Sequence, residues 1–187
     1  MEWKQLTENE KVLSGTFSLK LKEPTPVQEA VYKKILEGKN LTVKAETGTG
    51  KTFAYLLPLF EKYGEARGEN KILILVPTHE LAVQVAKETR KVADSCGIAL
   101  TCTTAVGDAN INHQIEALKK KPEIIIGTAG RILELIDKKK ISAHLIKTIV
   151  LDEGDRLFDK SCADTTHDVI KKHMRDVQLL PFFSIKP

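Results

Sequence analysis

The sequence is poor in several things, and each scarcity excludes something. Its 187 residues include three cysteines and one tryptophan, and aromatics make up 5%. Cys96, Cys102 and Cys162 stand at no metal-binding spacing and cannot all pair. A disulfide-stapled scaffold is therefore excluded, and the thiols read as reduced, in an intracellular protein. The histidines His79, His113, His144, His167 and His173 form no metal-spaced set, so no zinc site is expected. No apolar run approaches the ~18–20 residues of a membrane span. The start, Met1-Glu2-Trp3-Lys4, lacks the apolar core of a secretory signal. No membrane partner is expected. Neither sign of charge dominates, with 29 basic against 25 acidic residues and a formal net charge of +4. That balance permits an anionic partner without demanding one.

What is present is ordinary globular usage, 42% hydrophobic and 29% charged. One domain spanning residues 1–187 fits the length. Short apolar runs predict strands at 41–44, 71–76, 98–104, 123–126, 147–151 and 178–184. Several are nearly uninterrupted, such as Ile72-Leu73-Ile74-Leu75-Val76, as strands covered on both faces are. Helical patterns lie between them, near 51–63, 79–95, 109–120, 130–138 and 162–175. A further helix opens at Thr25-Pro26-Val27-Gln28, with Thr25 as cap, and ends at Gly38. This alternation predicts an α/β fold, a largely parallel sheet with helices on both faces.

Ala45-Glu46-Thr47-Gly48-Thr49-Gly50-Lys51-Thr52 falls between a predicted strand and a predicted helix. There, backbone N–H groups and a helix N-terminus converge on an anion. Gly48 and Gly50 let the backbone wrap phosphates, Lys51 reaches the β- and γ-phosphates, and Thr52 offers a hydroxyl to Mg²⁺. The bland alternative is a flexible Gly/Thr turn. A second motif, Asp152-Glu153, follows the apolar run Thr148-Ile149-Val150-Leu151. In a parallel sheet, strand C-termini share one ligand-binding edge. Asp152 would hold Mg²⁺, mostly through water, and Glu153 would orient or deprotonate the attacking water. Alone, the pair could be a solvated turn. Together the two motifs point to a nucleoside triphosphate site.

Five motifs in order carry a resemblance. They are Pro24-Thr25-Pro26-Val27-Gln28, residues 45–52, Pro77-Thr78-His79-Glu80-Leu81-Ala82, Thr128-Ala129-Gly130-Arg131 and Asp152-Glu153-Gly154-Asp155. From about Trp3 to Asp159 the chain resembles the first RecA-like, P-loop NTPase domain of the DEAD-box ATP-dependent RNA helicases. The resemblance implies ATP and Mg²⁺ as cofactors and RNA as partner. It implies that Gln28 reads the adenine edge and that Trp3, 25 residues earlier, stacks on the base. Gln28 could be a capping-box partner instead or could serve both roles, and Trp3 could simply pack at the N-terminus. Lys51, Asp152, Glu153 and Asp155 take catalytic roles, Asp155 linking the acids to the motif that follows. Pro77, Thr78, His79, Gly107, Thr128, Gly130 and Arg131 match the RNA side, where backbone contacts give little sequence preference. Thr128 could instead cap the next helix.

The sequence also departs from that pattern. Gly154 replaces an alanine, His79 an arginine, Ala129 a proline, and Gly107-Asp108 a Gly-Gly pair that would face phosphate. After Ser184, Ile185 and Lys186 replace two small residues of a Ser-Ala-Thr motif. A second RecA-like domain, which would supply an arginine finger, is expected in a parent chain or in trans. The chain alone would be nearly inactive. The alternatives are a non-hydrolysing nucleotide- or partner-binding regulatory module and a DNA-directed translocase domain. The 17-residue interval from Gln28 to Ala45 argues against the translocase. Lys119-Lys120-Lys121 and Lys138-Lys139-Lys140 end predicted helices, as solvated runs or as RNA contacts. The expected location is intracellular, cytoplasm or nucleus.

Overall fold

Successive side chains of a strand point to opposite faces. In residues 72–76 both faces are apolar, so the strand needs cover on both sides. A computed structural model describes residues 2–172 and 176–185 and shows that cover. Ile72, Ile74 and Val76 enter one buried cluster, Leu73 and Leu75 another on the opposite face. Burying each such side chain contributes roughly 1.5–3 kcal/mol. Exposed ion pairs such as Lys119–Glu116 give about 0–1 kcal/mol, so the apolar strands decide the fold.

Six parallel strands form the sheet: β1 (Val43–Glu46), β2 (Ile72–Leu75), β3 (Cys102–Ala105), β4 (Ile124–Gly127), β5 (Thr148–Leu151) and β6 (Gln178–Ile185). Their order is β1-β6-β5-β2-β4-β3. One face is covered by α1 (Glu10–Ser18), α2 (Pro26–Leu36), α3 (Lys51–Tyr63) and α4 (His79–Cys96). The other is covered by α5 (Ile111–Lys119), α6 (Ala129–Asp137), α7 (Gly154–Leu157) and α8 (Ala163–Lys172). No described helix is long and apolar enough to cross a membrane.

The predicted α/β architecture matches this fold, with local corrections. β1 begins two residues later than expected, because Leu41 packs on the core from the preceding loop. β3 starts at Cys102 rather than at residue 98. Ile98 and Leu100 are buried without belonging to the strand. α1 is a helix that the pattern did not reveal. Asn9 caps it, accepting the Val12 N–H at 3.2 Å, but its buried face is Val12, Gly15 and Thr16, too small and polar to stand out. The last predicted helix is seen as Ala163–Lys172. His173, Lys186 and Pro187 lie outside the described residues.

Glu123, just before β4, is buried yet charged. Its carboxylate accepts the Gly68 N–H at 2.9 Å and the Thr101 N–H at 2.8 Å. Burial alone would push its carboxyl up, but these bonds prevail and hold it below the usual range.

Candidate nucleotide and RNA edge

Because all six strands run the same way, every loop that leaves a strand C-terminus emerges on one edge. The strand order divides that edge in two. β1, β6 and β5 carry the phosphate loop, Ser184 and the acidic motif. β2, β4 and β3 carry Pro77–His79, Thr128–Arg131 and Gly107.

In the phosphate loop Gly48 and Gly50 take φ of +81° and +82°, which L side chains rarely adopt. A Cβ at Gly50 would also fall 2.6 Å from Gln28 Nε2. Thr49 closes the turn by donating its hydroxyl to the Glu46 carbonyl at 2.7 Å, while Thr47 is exposed on the loop. Lys51 opens α3, and its ammonium donates to Ala45 O at 2.8 Å, Glu46 O at 3.0 Å and Ser184 Oγ at 3.2 Å. These three oxygens are neutral. A cation resting on carbonyls within a glycine loop is poised to exchange them for an anion.

Gln28 is 2% exposed, and both ends of its amide are engaged. Its Oε1 accepts the Thr25 N–H at 2.9 Å, and its Nε2 donates to Gly50 O at 3.1 Å. It thus ties the start of α2 to the phosphate loop. Trp3 is 5% exposed, edge-on to Tyr32, and its indole N–H donates to Leu21 O at 2.9 Å. Its ring packs in the N-terminal core cluster.

Asp152 follows β5 directly and is 5% exposed. Burial pushes its carboxyl above the usual aspartate range. Hydrogen bonds from the Tyr55 hydroxyl (2.8 Å to Oδ2) and the Glu153 N–H (3.0 Å to Oδ1) pull the other way. Glu153 is non-glycine yet sits at φ 52°, a left-handed conformation of the kind that concentrates at functional sites. Its carboxylate meets Arg156 at 3.1 Å. Asp155 Oδ1 accepts the Ser184 N–H at 3.1 Å, and Ser184 in turn accepts from Lys51. Asp155, Ser184 and Lys51 thus link the acidic motif, β6 and the phosphate loop, while Tyr55, Asp152 and Glu153 form a second set of bonds beside them. Tyr55 and Ser184 were not among the predicted site residues; Tyr55 reads in sequence as a core aromatic.

No group of three or more acidic, histidine or cysteine side chains that could cage a metal occurs among the described residues. The chemistry here fits Mg²⁺ in another way. One carboxylate and one hydroxyl, Asp152 and Thr52, suit a cation that keeps several waters and arrives with phosphates.

On the other half, Thr78 caps α4, accepting the Leu81 N–H at 3.2 Å, with Pro77 before it and His79 as the first helical residue. Thr128 holds the cap position of α6 but makes no side-chain cap bond, and Gly130 is exposed in the first turn. Arg131 is committed internally. Its guanidinium donates to Ala109 O (3.0 Å), Gln114 Oε1 (2.9 Å) and Gly107 O (2.7 Å), and pairs with Glu134 at 3.0 Å. Asp108 is exposed on the loop so held. Both lysine runs lie elsewhere. Each follows a helix that returns from this edge, so each sits near a strand N-terminus, at the opposite edge.

A family model described as DEAD/DEAH box helicase matches residues 25–184. The DEAD-box ATP-dependent RNA helicase CshC of Bacillus cereus is 43% identical over 163 residues, 87% of this chain and 41% of that protein. Among solved structures, a DEAD box protein from Methanococcus jannaschii superposes with a TM-score of 0.89 at 28% identity. It covers 100% of this chain, which spans 51% of that one. The RNA helicase Prp28 from Chaetomium thermophilum, bound to ADP, superposes with a TM-score of 0.86 at 30% identity, over 100% of this chain and 46% of its own. The chain thus spans about half the length of the proteins it matches, or less.

Proposed function

The chain belongs to the DEAD/DEAH box helicase family as its N-terminal RecA-like domain, and from that premise we propose that it is the Mg-ATP-binding half of an RNA-dependent ATPase. The observation that carries this is Lys51 resting on neutral oxygens in a left-handed glycine loop, beside a buried Asp152. Lys51 would move onto the β- and γ-phosphates. Thr52 and Asp152 would hold Mg²⁺, which supplies charge neutralisation of the phosphates when bound. Glu153 would orient or deprotonate water, and Asp155 would couple the acids to Ser184. Gln28 would turn its amide to adenine, donating and accepting at once. Trp3 could stack on the base only by giving up its present packing against Tyr32.

RNA would lie along the loops after β2 and β4, held by Pro77, Thr78, His79, Thr128 and Gly130, with Gly107 flanking them. A second RecA-like domain would complete the catalytic site. The setting would be intracellular; the bacterial source of the curated relative supports cytoplasm over nucleus. A second reading is a binding module that does not hydrolyse, favoured by Asp108 on the RNA side and by Ile185 after Ser184.

Equilibrium titration with ATP and GTP in Mg²⁺ tests the nucleotide site. An amide that must both donate and accept should favour ATP by about tenfold, one charge-free hydrogen bond or so. Absence of ATP binding at millimolar concentration, or equal binding of GTP, would overturn it.

Arg131 would act through the Gly107 loop rather than on RNA itself. Arg131→Lys cannot reproduce the planar fork, so it should lower unfolding stability by about 1–3 kcal/mol and speed hydrogen exchange at residues 107–109. Unchanged stability with weaker RNA binding would instead identify a direct phosphate contact.

A further inference from the structure

Tyr55 lies on α3 one turn beyond Thr52, on the same helical face. Its side chain is completely buried, edge-on to Phe182 of β6 with ring centroids 5.3 Å apart. A phenylalanine would fill the same space. The hydroxyl is therefore not explained by packing, and placing it in the core costs desolvation unless it is used. It is used on Asp152 Oδ2, at 2.8 Å. Asp152 Oδ1 is held independently by the Glu153 N–H at 3.0 Å. Thr52 precedes it by one helical turn, so Tyr55 bonds one of the two residues assigned to Mg²⁺ and shares a helix face with the other.

We propose that Tyr55 is a positioning residue for the metal, its hydroxyl locking the Asp152 carboxylate in the orientation that receives the hydrated Mg²⁺ of the nucleotide. This rests on the nucleotide-binding reading above. Each carboxylate oxygen can accept two hydrogen bonds. With one position on each taken by Tyr55 and by Glu153, one on each is left for the water shell of the cation. Without the phenolic O–H only the Glu153 N–H still restrains the carboxylate, whose terminal torsion is soft for aspartate. Partners that orient a metal-binding group typically cost 10-fold or more in metal affinity when removed.

The test is Tyr55→Phe, read by fluorescence of a labelled ADP as Mg²⁺ is titrated and again in EDTA. The Mg²⁺ concentration for half-maximal tightening should rise about tenfold, with metal-free ADP affinity unchanged within about twofold. A purely structural tyrosine would alter the melting temperature and leave the Mg²⁺ dependence where it was. If wild type binds ADP and responds to Mg²⁺ but the variant is indistinguishable, this inference fails alone. If wild type binds no ADP, the nucleotide reading itself fails. Should the variant not fold, wild-type protein labelled with ¹³C at its three tyrosines decides. The Tyr55 ring-carbon resonance should shift when Mg²⁺ joins the ADP complex, and an unmoved resonance overturns the proposal.

Discussion

Joined to a second RecA-like domain, the chain is expected to hydrolyse ATP in the presence of RNA about 10³-fold faster than it does alone, or more. Phosphoryl transfer asks little covalent chemistry of a protein; it asks for positioning and for charge against the equatorial oxygens. This chain would supply the positioning. Lys51, Asp152, Glu153 and the Asp155–Ser184 link converge on one half of the sheet edge. At that half, Lys51 is the side-chain cation of the phosphate loop, and Arg156 is paired with Glu153. A cation delivered from a facing domain is worth ~10³–10⁵ in rate in comparable enzymes. Phosphate release from the joined protein, with and without RNA, checks this. Retained ATP binding with no turnover in any joined form would favour the non-hydrolysing module.

The second large effect is that of Lys51→Ala. In the joined protein it should remove RNA-stimulated turnover to below one part in about 100. Two charge-assisted hydrogen bonds to phosphate, at roughly 1.5–3 kcal/mol each, account for a loss of that size. The fold should hardly notice. Lys51 lies at the partly exposed start of α3, and its bonds to Ala45 O, Glu46 O and Ser184 Oγ leave oxygens that water can reach. Unfolding stability should therefore change by about 1 kcal/mol at most. A loss of turnover accompanied by a collapse in stability would mean that the lysine is structural.

The parts of the site that were legible in the sequence are those where chemistry restricts residue type at a strand end. Glycines flanking a lysine between β1 and α3 are legible in this way. So is a pair of acids directly after the apolar run of β5. The architecture was legible because Ile72–Leu75 and Ile124–Gly127 are apolar on both faces, as covered strands are, and alternate with helical patterns, as in a parallel α/β sheet. What escaped were relations rather than motifs. Arg131 matches an RNA-side position, yet its partners are two backbone carbonyls, an amide and Glu134, of which sequence gives no hint. Tyr55 reads as one more core aromatic until its hydroxyl is seen on Asp152. Gln28 shows the expected capping bond to Thr25, and its other amide end reaches Gly50, a partner that local pattern does not announce. The α1 helix was hidden by small residues. Gly15 faces Cys96 so closely that any side chain there would collide with the thiol, a constraint set by α4 and not by local pattern.

Whether the loop around Lys51 is an ATP site is tested most directly by calorimetric titration of wild type and Lys51→Ala with Mg-ATP, side by side. Wild type should saturate, and the variant should bind about 100-fold more weakly at an unchanged melting temperature. Equal ATP affinity in the two proteins would contradict it.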